Sequence, residues 1–355
     1  MRRLKMVKVL LGDVAKERRE SLKSDKTAMS IVGLEHLIPQ QIQLTEWSEY
    51  TENTFTKVFY KGDILFGRRR AYLKKAALAP FDGICSGDIT VIAPIENKIT
   101  PELLPFIIQN DAFFDYAVEK SAGSLSPRVK WEHLKNYEFE LPDLEEQKKL
   151  AKILWAAEET KQAYKKLLQK TDDLVKAKFE EVSHDIKNAD CERKQWMDVV
   201  NITNGKDHKK ISGDGPYAVY GTGGKMMAAK EYMCDKGTII MGRKGTIDKP
   251  YIASEKCWIV DTAFGVNPKN PNILNPIYLY QYIKQIDYSK LNKACTLPST
   301  TKSDLLKLWI DVPSTKVQNT FVQFAQQAEQ SKQQLQTSLD SLNATMRALI
   351  NENLK

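Results

Sequence analysis

No stretch of the sequence reaches the roughly 18 consecutive apolar residues of a membrane-spanning helix, so no membrane span is expected. The basic N-terminal segment meets Asp13 after only a few apolar residues, too short a run for a signal peptide, and a mature cytoplasmic protein is expected. Cysteine is scarce: Cys85, Cys191, Cys234, Cys257 and Cys295 are odd in number, scattered and free of any CxxC pair, and the four histidines do not gather near them. A disulfide framework and a structural zinc are therefore not expected.

Catalytic signatures are missing too. A base-amino methyltransferase carries (D/N/S)PP(Y/F/W), whereas DKPY from Asp248 to Tyr251 has the ends of that motif without its second proline. No GxxxxGK(S/T) loop for a nucleotide occurs, and no convincing PD…(D/E)xK nuclease pattern. The carboxylates of EEQKK, starting at Glu145, suit a helix start, where the dipole favours negative charge, as well as they suit acid–base chemistry. His133 beside Glu132 reads as a surface or packing histidine. No catalytic residue and no metal ligand is assigned.

What is present is a soluble globular composition, 42% apolar and 28% charged, in 355 residues, which is long enough for about two domains. The net charge is +8, which favours a polyanionic partner without establishing one. Residues 143–182 carry nine basic and nine acidic side chains and residues 314–355 four and three, so +7 lies elsewhere in the chain.

The chain repeats itself. KGDILFGRRR from Lys61 returns as KGTIIMGRKG from Lys236, Asp13-Val14 as Asp198-Val199, and Ile89–Pro94 as Ala263–Pro268. SAGSLSPRVKWEHLKNYEFELP from Ser121 is echoed by KACTLPSTTKSDLLKLWIDVP from Lys293, and from Pro142 the copies run ungapped at an offset of 171 residues. Order and spacing persist although identity is low, which marks a duplication. Each copy begins with short β-rich runs (VKVLLG, KVFY, DILFG, DITVIAP; then YAVYG, TIIMG, CWIV) punctuated by turn residues, with helical pieces such as PELLPFIIQNDAFFDYAVEK and NPIYLYQYIKQI between them. An α+β fold is expected for each.

Each copy ends in a long helix without internal Pro or Gly. The 3-4 spacing of Leu150, Ile153, Ala157, Thr160, Tyr164, Leu167, Thr171 and Leu174 predicts one seam, and Val317, Phe321, Phe324, Ala328, Ser331, Leu335, Ser338 and Leu342 the other. Two such helices of equal length are each other's natural partners, antiparallel because the first must return the chain to a second globular part. The expected domains are residues 1–142 and 188–313, with spacer helices over 143–187 and 314–355. A domain at each end of a shared rod would meet DNA segments about a helical turn apart.

The basic turns, Arg68, Arg69 and Arg70 with Lys74 and Lys75, and Arg243 with Lys244, follow equivalent strands and could meet phosphates or guanine edges. A solvated turn is the plainer reading of either cluster alone, and its recurrence weakens that reading. VYGTGG from Val219, with Tyr220 and Lys225, either brings backbone to a phosphate or simply turns a hairpin. Lys209 and Lys210 add charge nearby, and Arg128, Lys130 and, in the echo, Lys302 complete the DNA-binding candidates.

In this order the features resemble the specificity subunits of type I restriction-modification systems over nearly the whole chain. The residues that carry the likeness are LGDVA at Leu11, GSLSPRVKWEHLKNYEFELPDLEEQKKLAKIL at Gly123, PYAVYGTGG, IIMGRKGTIDKPY and WIVDTAFGV. The second helix start departs from the pattern, keeping Pro313 and Gln318 but placing Lys316-Val317 where the first copy has its acidic pair. The resemblance implies a non-catalytic subunit with two target recognition domains on an antiparallel coiled coil. Each domain would read half of a split sequence in double-stranded DNA. Two methylation subunits, binding S-adenosylmethionine, would dock on the helices, with Glu145, Glu146, Gln147 and Gln318 as docking candidates. Restriction subunits, using ATP and magnesium, could join, while this chain itself would bind no cofactor. The rivals are a self-contained DNA methyltransferase or nuclease, which would bind S-adenosylmethionine or modify DNA alone, and a coiled-coil scaffold with incidental charge.

Overall fold

The computed structural model describes residues 6–22, 29–49, 53–186, 191–291 and 298–354. The chain forms two compact units, one of residues 1–165 with 336–355, the other of residues 166–335.

In the first unit a strand pair, Val7–Leu10 with Glu138–Leu141, runs antiparallel. A four-stranded antiparallel sheet follows in the order Ala15–Glu17, Ile89–Pro94, Ile64–Gly67, Ala76–Leu78. The central strand Ile64–Gly67 is buried throughout, and its side chains alternate between two cores. Ile64 and Phe66 join the helices Leu104–Ile108 and Asp111–Glu119 in one cluster, while Leu65 joins Ile89 and Val91 in another. This explains an apolar run with no polar face: successive residues point to opposite sides of a sheet covered on both. Asn110 divides the two helices and caps the second, its side-chain oxygen accepting from Ala112 N at 3.1 Å.

The second unit repeats the plan. Cys191–Gln195 pairs with Trp309–Pro313, and the four-stranded sheet is Val200–Asn204, Ala263–Pro268, Ile239–Gly242, Tyr251–Ile252. Ile239 and Met241 face the core that holds helix Pro276–Lys284, and Ile240 faces the other side. Each short run read as a strand contains one, although Leu11 and Gly12 of VKVLLG already belong to the short helix Leu11–Val14. The copies diverge in their three-stranded sheets. Both keep a parallel pair, Ser30–Val32 with Gly83–Cys85 and Ser212–Gly221 with Cys257–Ile259. The third strand, Lys57–Phe59 or Gly224–Ala229, adds to opposite members of that pair.

The long helices span Leu144–Ile186 and Thr315–Asn353 and pack together antiparallel within each unit. In the second unit Phe179 meets Phe321 at a centroid distance of 5.1 Å, and Lys332 Nζ donates to Asp172 Oδ1 at 2.6 Å, so one helix ascends as the other descends. In the first, Leu150, Ala151 and Leu154 share a core with Met346 and Leu354.

The seam is the predicted one at every second position, where Leu150, Ala157, Tyr164, Phe321 and Leu335 stay on the inner side, and is displaced by one residue at the others. Ile153, Leu167 and Leu174 are 48–56% exposed, and Thr160, Ser331 and Ser338 also face solvent. Their neighbours take the inner positions: Leu154, Lys161, Leu168 and Val175, and in the other helix Ala325, Lys332, Leu339 and Met346. Doublets such as Ile153-Leu154 and Leu174-Val175 satisfy either stripe. The inner one wins because it runs on into buried Phe179 and Val182, whereas the other would run into Lys178 and Glu181. The consequence is a lysine in each seam. Lys161, 8% exposed, pairs with buried Glu158, and Lys332 pairs with Asp172.

Candidate nucleic-acid interface

The repeated KG turn has the same geometry twice. Gly62 at φ +90° and Gly237 at φ +89° hold a left-handed position that side chains resist. Their amides donate to Ala79 O and Ala253 O, each at 2.9 Å. The strand then delivers Gly-Arg to a second shared set of bonds. Arg68 N donates to Asp88 O at 3.0 Å and Arg243 N to Thr262 O at 2.8 Å. The carbonyls of these arginines accept from Val129 N at 3.0 Å and Thr300 N at 2.9 Å. Arg70 N donates to Pro127 O at 2.8 Å and Gly245 N to Pro298 O at 2.9 Å. Each basic turn is therefore stitched to the segment that begins at Pro127 or Pro298, which brings Arg128 beside Arg69 and Ser299 beside Lys244.

The side chains differ between the units. In the first, Arg128 Nε and Nη2 donate to the two oxygens of Asp88 at 2.7 and 3.3 Å, and Arg69 reaches the same carboxylate at 3.4 Å while its Nε donates to Ser126 Oγ at 2.6 Å. The hydrogen-bonded Arg128 guanidinium, with Arg69 nearby, holds the Asp88 carboxyl below the usual carboxylate range, so the clamp persists at neutral pH. Arg69 and Arg128 share this one carboxylate, and among the described residues neither Arg68 nor Arg70 has an ion-pair partner. Lys74 is paired with Asp111, Lys75 Nζ donates to Leu34 O at 2.6 Å, and Lys130 is exposed where the short helix Trp131–Leu134 begins.

In the second unit Arg243 lies 5.8 Å from the Phe264 ring centroid, and Lys244 is exposed. Neither has a carboxylate within salt-bridge distance among the described residues. Lys209 and Lys210 are exposed, Lys225 is paired with Glu255 at 2.7 Å, and Lys302 Nζ is held by Ile202 O at 2.6 Å. Tyr220 leaves the set of surface candidates. It is 5% exposed, with its hydroxyl 3.0 Å from Ser254 Oγ and its ring against Tyr251, because this end of its strand is covered on both faces. VYGTGG thus makes a hairpin between the strands Ser212–Gly221 and Gly224–Ala229.

The docking candidates also separate. Glu145 and Glu146 remain at the surface, paired with Lys148 and Lys149. Gln147 and Gln318 are 2% and 1% exposed and cannot meet a partner. Gln147 accepts from Thr100 N and donates to Pro142 O, both at 2.8 Å. Gln318 accepts from Asn275 N and donates to Ile273 O and Pro313 O, all at 2.8 Å. Each glutamine closes its helix start onto the preceding strand and a neighbouring loop. Among the described residues no group of three or more His, Cys, Asp or Glu side chains is placed to hold a metal ion.

Sequence reasoning missed Asp88. The signal was available in the repeat: Arg69, Arg128 and Asp88 align with Lys244, Ser299 and Thr262, so the carboxylate and the second guanidinium come and go together. Arg70 occupies at φ +55° the place that Gly245 takes at φ +83°. Arg70→Gly is expected to relieve backbone strain and raise stability by about 0.5–1 kcal/mol while weakening DNA binding. Denaturation and binding titrations on the same variant check both signs.

The sequence pattern of the type I restriction modification DNA specificity domain matches residues 6–170 and again 188–342. A stretch of 94 residues is 31% identical to the specificity subunit of the type I restriction enzyme EcoDI of Escherichia coli. That stretch covers 26% of this chain, and the chain spans about a fifth of that relative's length. In fold the chain is similar to the S subunit of a type I restriction-modification system from M. genitalium, with a TM-score of 0.63 at 14% identity over 100% of this chain and 97% of the other. It is also similar to a chain from a structure of type I restriction-modification complex assembly and conformational transition, with a TM-score of 0.60 at 19% identity over 99% of both.

Proposed function

The chain belongs to the type I restriction-modification DNA specificity family, and from that premise we propose that it is the non-catalytic, DNA-reading subunit of such a complex. Each unit contacts one half of a bipartite, asymmetric target in double-stranded DNA, and the paired helices set the spacing between the halves. The observation that carries this reading is the basic turn built twice on the same hydrogen bonds, with Arg68 and Arg70 in one unit and Arg243 and Lys244 in the other left without carboxylate partners among the described residues. Uncompensated cations on a strand-end turn suit phosphates, which anchor a protein on a duplex.

Two methylation subunits supply S-adenosylmethionine and adenine N6 methylation in this proposal. They dock along the helices, where the central helix exposes Glu145, Glu146 and Ile153 in the first unit and Leu167 and Leu174 in the second. Restriction subunits, where they join, bring ATP and magnesium. Such a complex works in the cytoplasm, and no described helix is long and apolar enough to cross a membrane.

Binding of a DNA library across salt concentrations tests the proposal. Affinity is expected to fall by at least about 10³-fold between 50 and 200 mM salt if six or more phosphates are contacted. A binding constant that stays flat over that range would rule the reading out.

A further inference from the structure

We propose that Arg128, braced by Asp88, reads a guanine in the half-site contacted by the first unit. This rests on the DNA-reading function above and adds a base to it.

An arginine at a DNA surface either neutralises a phosphate or forks onto the O6 and N7 of guanine. The second task demands a guanidinium fixed in orientation. Arg128 is fixed at both ends. Its backbone is tied in a two-way bridge, Arg128 N to Ala122 O at 2.9 Å and Ala122 N to Arg128 O at 3.0 Å. Its side chain is gripped along one edge, Nε and Nη2 on the two Asp88 oxygens. The remaining nitrogen, Nη1, has no partner among the described residues, and the side chain stays 42% exposed. The free end of the fork is therefore presented to solvent in a set direction.

Asp88 makes a phosphate contact the poorer explanation. A carboxylate held within hydrogen-bonding distance of the guanidinium repels a phosphate placed on the same group. Beside a G·C pair the same carboxylate is harmless, because cytosine N4 is a donor that can face an acceptor. Arg69 and Ser126 complete the brace, since Arg69 shares the carboxylate and donates to the serine. Arg68 and Arg70, with no ion pairs among the described residues, remain for the phosphates. The second unit has Ser299 and Thr262 at the corresponding places, so this reader belongs to one half-site only.

The test uses the complete methylation complex and the bipartite target that it recognises. Arg128→Ala is expected to erase the preference for one guanine in one half and leave the other half's preference intact, which also reports that the complex is assembled. Affinity for the target should drop about 10- to 100-fold. The drop should shrink when that guanine is replaced by 7-deazaguanine, which lacks N7 but keeps O6, and persist in full with inosine, which keeps both acceptors. Arg128→Lys should not restore the preference, because an ammonium has no fork, and Asp88→Asn should weaken it. An even loss across all sequences, with a shallower salt dependence, would identify a phosphate contact and overturn the inference. An unchanged motif would overturn it too. Absence of any sequence preference in the unaltered complex would instead sink the DNA-reading function itself.

Discussion

Gln318→Ala is expected to destabilise the second unit by about 3 kcal/mol, a large loss for one side chain. The amide is 1% exposed, and all three of its hydrogen bonds go to backbone: Asn275 N, Ile273 O and Pro313 O. Removing it leaves one backbone donor and two backbone acceptors without a partner, that of Pro313 buried, and an unsatisfied buried group costs about 1–3 kcal/mol. Water entering the vacated space recovers part of that, which keeps the total below a simple sum. Gln318→Glu should not rescue, since a carboxylate keeps the acceptor, loses both donors and adds a buried charge. Gln147→Ala removes two such bonds in the first unit and should cost about 2 kcal/mol. Urea unfolding measures both. A docking role would predict the opposite pattern, intact stability with lost partner binding, and a shift below about 0.5 kcal/mol for Gln318→Ala would favour it.

Replacing Arg68, Arg70, Arg243 and Lys244 together with glutamine should weaken DNA binding about 10²- to 10³-fold at physiological salt, with little change of fold. The slope of log K against log salt should become shallower by about 0.9 for each phosphate that is no longer neutralised. Glutamine preserves much of the packing volume, which matters for Arg243 over the Phe264 ring. The two halves of the set should behave alike: Arg68 and Arg70 alone, or Arg243 and Lys244 alone, should each account for part of the slope. Retention of the full slope by the fourfold variant would mean that the duplicated turn does not face the DNA.

The strands and the duplication were legible because each depends on local pattern. ILFG and IIMG are short apolar runs bounded by Lys-Gly and Gly-Arg, and a central strand covered on both faces can hardly read otherwise. The antiparallel pairing of the helices followed from their equal lengths and from chain connectivity. Other features depend on what lies opposite in space. The helix seam was shifted by one residue at alternate positions, since doublets of apolar residues fit two stripes and the continuation into Phe179 and Val182 decides between them. Gln147 and Gln318 looked like surface residues at a helix start, and only the loops they clamp show why an amide is needed there. Tyr220 sits next to a glycine hairpin, but its strand is covered on both faces there, so its ring lies inside. Asp88 acquires its meaning from Arg128, 40 residues away. Sequence proximity identified the basic turn, and the fold identified what holds it.

If the chain is the DNA-reading subunit proposed above, it reads two different half-sites, one for each unit. The most direct test is to map the adenines methylated in genomic DNA by this chain together with its methylation subunits. The account predicts a split motif of two unlike halves separated by a fixed, unspecified spacer, lost when this chain is omitted. A single continuous motif, or the same methylation pattern without this chain, would contradict it.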